Sequence, residues 1–244
     1  MQVIDVHCHL GVFEFPIEKQ EKTHLIEIMK KCQIERGIFS STKAIHYDII
    51  MGNKDTAELV KDNDRCWGYV VVNPNQIDRS IKELEKYFPG RGFIGVKVHP
   101  AHAKLPFDGE EMKPILDKIN QIGVPVKVHT FYKKGVKEVF NVAKKYPEMK
   151  IIMAHTGGPD WKDGIRAAKA TPNIYLDLCS SYPDRGKFAA ALEGVGEDRI
   201  VFGSDLPLLN PLFVMGMFEL EGGIPARTKQ KVFYQNAWNL FFNK

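Results

Sequence analysis

Asp5, His7 and His9 in the run Ile4-Asp-Val-His-Cys-His are spaced two residues apart. At that spacing the side chains of a β-strand share one face, with Cys8 on the other. Two imidazoles converging at one strand end offer the neutral nitrogen donors that divalent transition metals take, and a nearby carboxylate would complete the set. Five of the eight histidines (His7, His9, His99, His129 and His155) and Asp205 each stand at the end of a short, β-rich apolar run. If those ends meet, they form a metal site.

The elements that would bring them together can be read from the hydrophobic pattern. Strand-like runs occur at 2–8, 36–41, 66–72, 93–99, 125–129, 150–155, 174–179 and 200–205, and amphipathic helical stretches such as 55–61, 80–88, 110–120, 134–146 and 187–195 lie between them. This alternation predicts a parallel α/β sheet with crossover helices, and eight units favour closure into a (β/α)8 TIM barrel. Such a barrel typically needs ~250 residues, so the 244 residues of the chain read as one domain over 1–244. The helix-to-strand connections are short, whereas 42–53, 100–109, 180–186 and 206–211 are long. In a barrel those four lie on the C-terminal face, where active sites are built.

The composition excludes several classes. The 34 Lys and Arg against 30 Asp and Glu are spread along the chain, so the net charge of +4 gives solubility and no nucleic-acid stripe. Cys8, Cys32, Cys66 and Cys179 form no CxxC pair, which argues against a disulfide framework or a cysteine zinc site and suits a reducing, cytoplasmic setting. No secretory leader and no apolar run of ~18 residues is evident, so no membrane span is expected. The glycines after His155 match no phosphate loop, and Ser204 lies in no nucleophile elbow.

The motifs Asp5-Val-His-Cys-His-Leu-Gly, Gly95-Val-Lys-Val-His-Pro, Val128-His-Thr, Ala154-His-Thr-Gly-Gly, Gly203-Ser-Asp-Leu-Pro and Gln235-Asn-Ala run the length of the chain. Together they resemble the amidohydrolase superfamily, and more narrowly its amidohydrolase 2 branch, which includes aminocarboxymuconate-semialdehyde decarboxylase-like and lactone-hydrolase-like enzymes. The resemblance implies a distorted barrel in which His7, His9, His129 and Asp205 hold the ion. It also implies that Asp205 handles the proton of a metal-bound water and that His155 activates or orients substrate. Zinc suits this donor set, with manganese, iron or cobalt as substitutes.

Lys97 stands where binuclear relatives use a carboxylated lysine. Because His99 lies two residues further toward the mouth on the same face, a single ion is expected, with Lys97 and His99 contacting substrate. Arg185 could clamp a carboxylate with its two-pronged donors. Lys127 shares the inward face with His129 and needs a carboxylate partner if buried, for which Asp177 is a candidate. His46, His102, Tyr182 and Asp184 sit on the long loops and could shape the pocket.

The expected activity is hydrolysis of a small, carboxylate-bearing ester, lactone or amide by a metal-activated water. Nonoxidative decarboxylation is the alternative within the branch, and a noncatalytic metal-binding barrel is the alternative from another class. Partners beyond a small-molecule substrate are not indicated, and homo-oligomerisation is left open.

Overall fold

The computed structural model describes residues 2–13, 21–180, 182, 184–221 and 223–243. Eight strands form one parallel sheet in chain order: β1 (Val3–Leu10), β2 (Ile34–Ser41), β3 (Cys66–Val72), β4 (Phe93–Val98), β5 (Val126–Phe131), β6 (Ile151–Gly157), β7 (Ile174–Asp177) and β8 (Ile200–Val201). Helices α1 (Lys22–Lys31), α2 (Thr42–His46), α3 (Ile49–Asp62), α4 (Ile77–Tyr87), α5 (Pro100–Ala103), α6 (Lys113–Ile122), α7 (Tyr132–Lys145), α8 (Trp161–Ala170), α9 (Lys187–Val195), α10 (Pro211–Leu220), α11 (Ala226–Gln230) and α12 (Asn236–Phe241) fill the connections. The architecture is a TIM barrel. Among the described residues no helix is long and apolar enough to cross a membrane.

Two apolar layers hold it together. The outer one packs strand residues such as Val3, Cys8, Leu10, Val70 and Val96 against helix residues such as Leu25, Met29, Ile115 and Val139. The inner one gathers Ile4, Val6, Ile38, Tyr69, Ile152 and Val201 with Ala237 and Phe241 of α12, so the last helix plugs the end of the barrel opposite the strand C-termini. Each buried aliphatic side chain of this kind contributes on the order of 1.5–3 kcal/mol.

The sequence pattern places strand eight over 200–205, but only Ile200 and Val201 pair as a strand with β7. Closure onto β1 is made by Val6 N donating to Phe202 O at 2.9 Å, His9 N to Leu206 O at 2.7 Å, and a bridge between Cys8 and Leu206. The stretch expected as a long loop, 42–53, is instead mostly helical, with Ser41 Oγ and Asp48 Oδ1 accepting from the first turns of α2 and α3.

β1 also departs from regular alternation. Asp5 pairs with Gly37 and Cys8 with Phe39, so three steps along β1 match two along β2, which is a β-bulge. The extra residue lets Ile4 and Val6 face the inner apolar layer while His7 and His9 also face inward. Val6 O is turned out of the ladder and accepts from Tyr69 OH at 2.9 Å and Lys127 Nζ at 3.0 Å. Asp5 therefore does not join the two histidines. Its carboxylate accepts from His7 N and Ser204 N, and from Ser204 Oγ, holding the bulge against the segment after β8. Burial raises its pKa to about 6 in spite of those bonds.

Candidate metal centre

His7 and His9 at the end of β1 aim their Nε2 atoms at one oxygen, Asp205 Oδ1, at 3.3 and 3.1 Å. All three are buried, and their donor atoms lie within 4.8 Å of one another. Asp205 reaches this point because its backbone is left-handed, at φ +64°, between Ser204 and the turn that follows. A non-glycine residue in that region is costly and is retained where its surroundings demand the direction of the side chain.

The far sides of both imidazoles are held. His7 Nδ1 lies 2.7 Å from Asp177 Oδ2 at the end of β7, and His9 Nδ1 lies 3.1 Å from Ser40 Oγ in β2. A carboxylate on Nδ1 fixes that nitrogen as N–H and leaves the Nε2 lone pair facing the centre, the arrangement by which metal-binding histidines are oriented. Asp177 is in turn neutralised by Lys127, whose Nζ sits 2.7 Å from the same oxygen. The partner expected for Lys127 is thus the one found. Gly203 makes room for this carboxylate, since a Cβ there would meet Asp177 Oδ1 at 2.6 Å.

On the opposite wall a stack of parallel rings runs from His99 to His129, 3.9 Å between centroids, and on to Phe131 at 5.0 Å. His155 Nδ1 is 3.0 Å from Cys179 O, an obligate acceptor, so Nδ1 carries the hydrogen. Its Nε2 then accepts from His129 Nδ1 at 3.1 Å, which leaves the lone pair of His129 on Nε2, the atom available to a metal. His99 Nδ1 accepts from His102 N at 3.4 Å and so holds a hydrogen on Nε2 instead. His129 is set as an acceptor and His99 as a donor.

Lys97 lies deep, nearly fully buried, with Nζ 3.4 Å from His7 Nε2, and His99 stands nearer the mouth as expected. Burial, reinforced by the charge of Lys127, lowers the Lys97 amine to about 7. Burial likewise holds His7, His99 and His129 well below the usual imidazole range and brings His155 to about 4, so these rings are neutral at pH 7. Burial alone would raise Asp205. The hydrogen bond with His9, with His155 and Lys97 close by, outweighs burial and holds the carboxylate below its ordinary range, hence ionised.

His9, His99, His129, His155 and Asp205 open onto one cavity of about 360 Å³, walled also by Phe13, Ile45, Phe131, Leu208 and Leu209 and by His46 and His102. His46 and His102 meet at the rim, with ring centroids 4.3 Å apart. The other loop residues behave differently. Arg185 is exposed and borders a separate hollow with Phe188 and Leu220, and Asp184 accepts from Trp161 Nε1 at 2.6 Å. Tyr182 stands 6.2 Å from Phe131, while Ser181 and Pro183 of the same loop lie outside the described residues. Cys179 and Lys187 carry no motif and were not among the expected site residues, yet Cys179 Sγ lies 3.1 Å from His7 Nδ1, and Lys187 reaches the backbone of His155.

The donors present fit a divalent ion: two or three imidazole nitrogens with lone pairs turned inward, one ionised carboxylate, and partners that fix each ring. The family profile described as Amidohydrolase, Amidohydro_2, matches residues 51–242. Among solved structures, the fold is similar to dihydroxybenzoic acid decarboxylase from Polaromonas sp. JS666, which holds manganese and the inhibitor 2-nitroresorcinol (TM-score 0.77, 19% identity, 99% and 97% of the two chains covered). It is also similar to 5-carboxyvanillate decarboxylase from Sphingomonas paucimobilis (0.79, 12%, 98% and 98%). A third likeness is to 5-carboxyvanillate decarboxylase from Novosphingobium aromaticivorans with manganese and 4-hydroxy-3-methoxy-5-nitrobenzoic acid (0.78, 16%, 98% and 95%). No curated protein matches the sequence significantly.

Proposed function

From the premise that the chain belongs to the Amidohydro_2 amidohydrolase family, we propose that it is a metal-dependent decarboxylase of a small aromatic or unsaturated carboxylic acid. The observation that carries this reading is the convergence of His7, His9 and Asp205, with His9 and Asp205 lining a single cavity with apolar and aromatic walls. A flat acid fits between such walls, and the cavity is of the size that small-molecule sites have. The likeness to solved decarboxylases supports the same choice over hydrolysis.

His7, His9, His129 and Asp205 would hold one divalent ion, manganese or zinc, which supplies the positive charge that anchors the acidic oxygens of the substrate. Asp205 lies between the two imidazoles and is ionised, as a metal ligand must be. In decarboxylation the bond between the carboxyl carbon and its neighbour breaks, carbon dioxide leaves, and the electron pair stays on the neighbouring carbon, which takes a proton. His99, with its hydrogen on Nε2, and His155 line the cavity where that proton is delivered. Lys97 provides a donor to an acidic oxygen of the substrate, and Arg185 has no part.

The test is product analysis. Protein loaded with manganese or zinc is incubated with hydroxy- and carboxy-substituted benzoates and, separately, with aryl esters and lactones. Carbon dioxide release from at least one acid, abolished by His7→Ala, is the expected result. Turnover of esters or lactones with no carbon dioxide from any acid overturns the reading in favour of a hydrolase.

A further inference from the structure

Lys187 is the first residue of α9, a position where a lysine would ordinarily extend into water. Here it is only 2% exposed. Its Nζ donates to Leu178 O at 3.3 Å and to His155 O at 3.5 Å, and among the described residues no carboxylate forms an ion pair with it. Burial of an ammonium without a counter-ion is costly, and the positive end of a helix makes it more so. A methionine, one heavy atom shorter, would fill most of the space without either penalty. Such a local violation persists where the group serves something other than packing.

The carbonyls it holds belong to the two strand ends that set the histidines. His155 and Thr156 are both left-handed, at φ +63° and +53°, and neither is glycine. That backbone path turns His155 Nδ1 toward Cys179 O, the residue after Leu178. Thr156 Oγ1 ties the same turn to Asp177 O at 2.9 Å. Lys187 is the cross-link from the helix side, spanning β6 and the segment after β7 at the height of the His155 ring.

We propose that Lys187 is a positioning residue of the metal centre: by clamping the carbonyls of His155 and Leu178 it fixes His155, and through His155 the nitrogen that His129 presents to the ion. This rests on the reading of His129 as a metal ligand. Burial lowers the pKa of Lys187 and outweighs the raising effect of Cys179, Asp177 and Asp184, none of which pairs with it directly.

The test compares Lys187→Met with wild type by manganese titration of chelator-treated protein, with thermal unfolding of the metal-free form alongside. The expected result is a manganese affinity weakened ~10- to 100-fold, the range for partners that orient metal ligands, together with an unfolding temperature equal to or above that of wild type. A merely structural lysine would give the reverse, lower stability at unchanged affinity, and that result overturns the proposal. Lys187→Gln, whose neutral amide ends short of both carbonyls, is the second variant should the methionine protein not fold. Wild-type affinity in either folded variant is equally fatal. His129→Ala separates the two readings. If it leaves manganese affinity unchanged, the ligand role of His129 fails; if it weakens binding while Lys187→Met does not, only the role of Lys187 fails.

Discussion

Strand β5 carries Lys-Val-His and β4 ends on Lys-Val with His99 just after it, and the sheet sets Lys97 beside Lys127. Lys127 is completely buried against Asp177 and Val6 O, whereas Lys97, just as buried, faces an imidazole nitrogen and has its amine lowered to about 7. The histidines diverge as well. His99 follows β4 as the cap of α5 and accepts from His102 N, while His129 remains within β5 and donates to His155. The residue types are identical, so the difference comes from what stands opposite: β7 supplies a carboxylate to one lysine, and β6 supplies an acceptor to one histidine. A motif fixes what a side chain can do, and the neighbouring strand ends decide which of those things it does.

The contrast between the lysines can be broken by stability measurements. Lys127→Met strands Asp177 as a buried, half-compensated charge and should cost ~3–5 kcal/mol. Lys97→Met removes a buried cation that has no counter-ion and should be neutral or slightly stabilising. Equal losses in urea unfolding would show that the two lysines are equivalent.

The β5–β6 side can be sharpened by pH. The folded value of His155 is about 4 against 6.5 for the free side chain, with burial as the main cause. Above pH 6.5 the ring is neutral in both folded and unfolded chains and its contribution is complete. As pH falls from 6.5 toward 4 the unfolded chain takes up a proton that the folded chain refuses. Stability is therefore lost across that window, by ~3 kcal/mol from His155 alone. Metal-free protein unfolded in urea at pH 7 and pH 4.5 reads this difference. His155→Gln should reduce the difference by its own share, leaving that of His7, His99 and His129.

The histidines should part on metal binding. His129→Ala is expected to weaken manganese affinity on the order of 100-fold, about 2.7 kcal/mol. His99→Ala should leave it within about threefold, losing the bond to His102 N, worth ~1 kcal/mol or less, and the stack on His129. Titration of both variants checks the pair, and a matching loss in His99→Ala would erase the distinction drawn from their hydrogen-bond partners.

Much of this was legible in the sequence. The alternation of apolar runs and amphipathic stretches places seven strands nearly where they are found, and α9 at its observed limits. Strand polarity brings His7 and His9 together, and the cost of burying an ammonium pairs Lys127 with Asp177. What escaped was set by backbone direction rather than residue type. Asp205 and His155 project as they do because each is left-handed, and no spacing rule announces that. Asp5 looked like a third member of the inward face until the bulge in β1 turned it to Ser204. Arg185 had suitable chemistry on a suitable loop, but just before α9 it borders a hollow with Lys187 and Phe188 and not the cavity of the metal centre.

The bulge in β1 also governs which lengths of chain this site can tolerate. Because side chains alternate with a period of two, removing one residue between Asp5 and Cys8 would restore even pairing with β2 and rotate either the inner apolar residues or the two histidines to the wrong side. Substitution at Val6 need only preserve an apolar side chain, since its contacts with Tyr69 and Lys127 are made by the carbonyl. For this strand, then, single-residue deletions should be far more damaging than conservative replacements at the same positions. A library mixing the two would show the bulge as a sharp boundary in indel tolerance, centred on Val6 and His7.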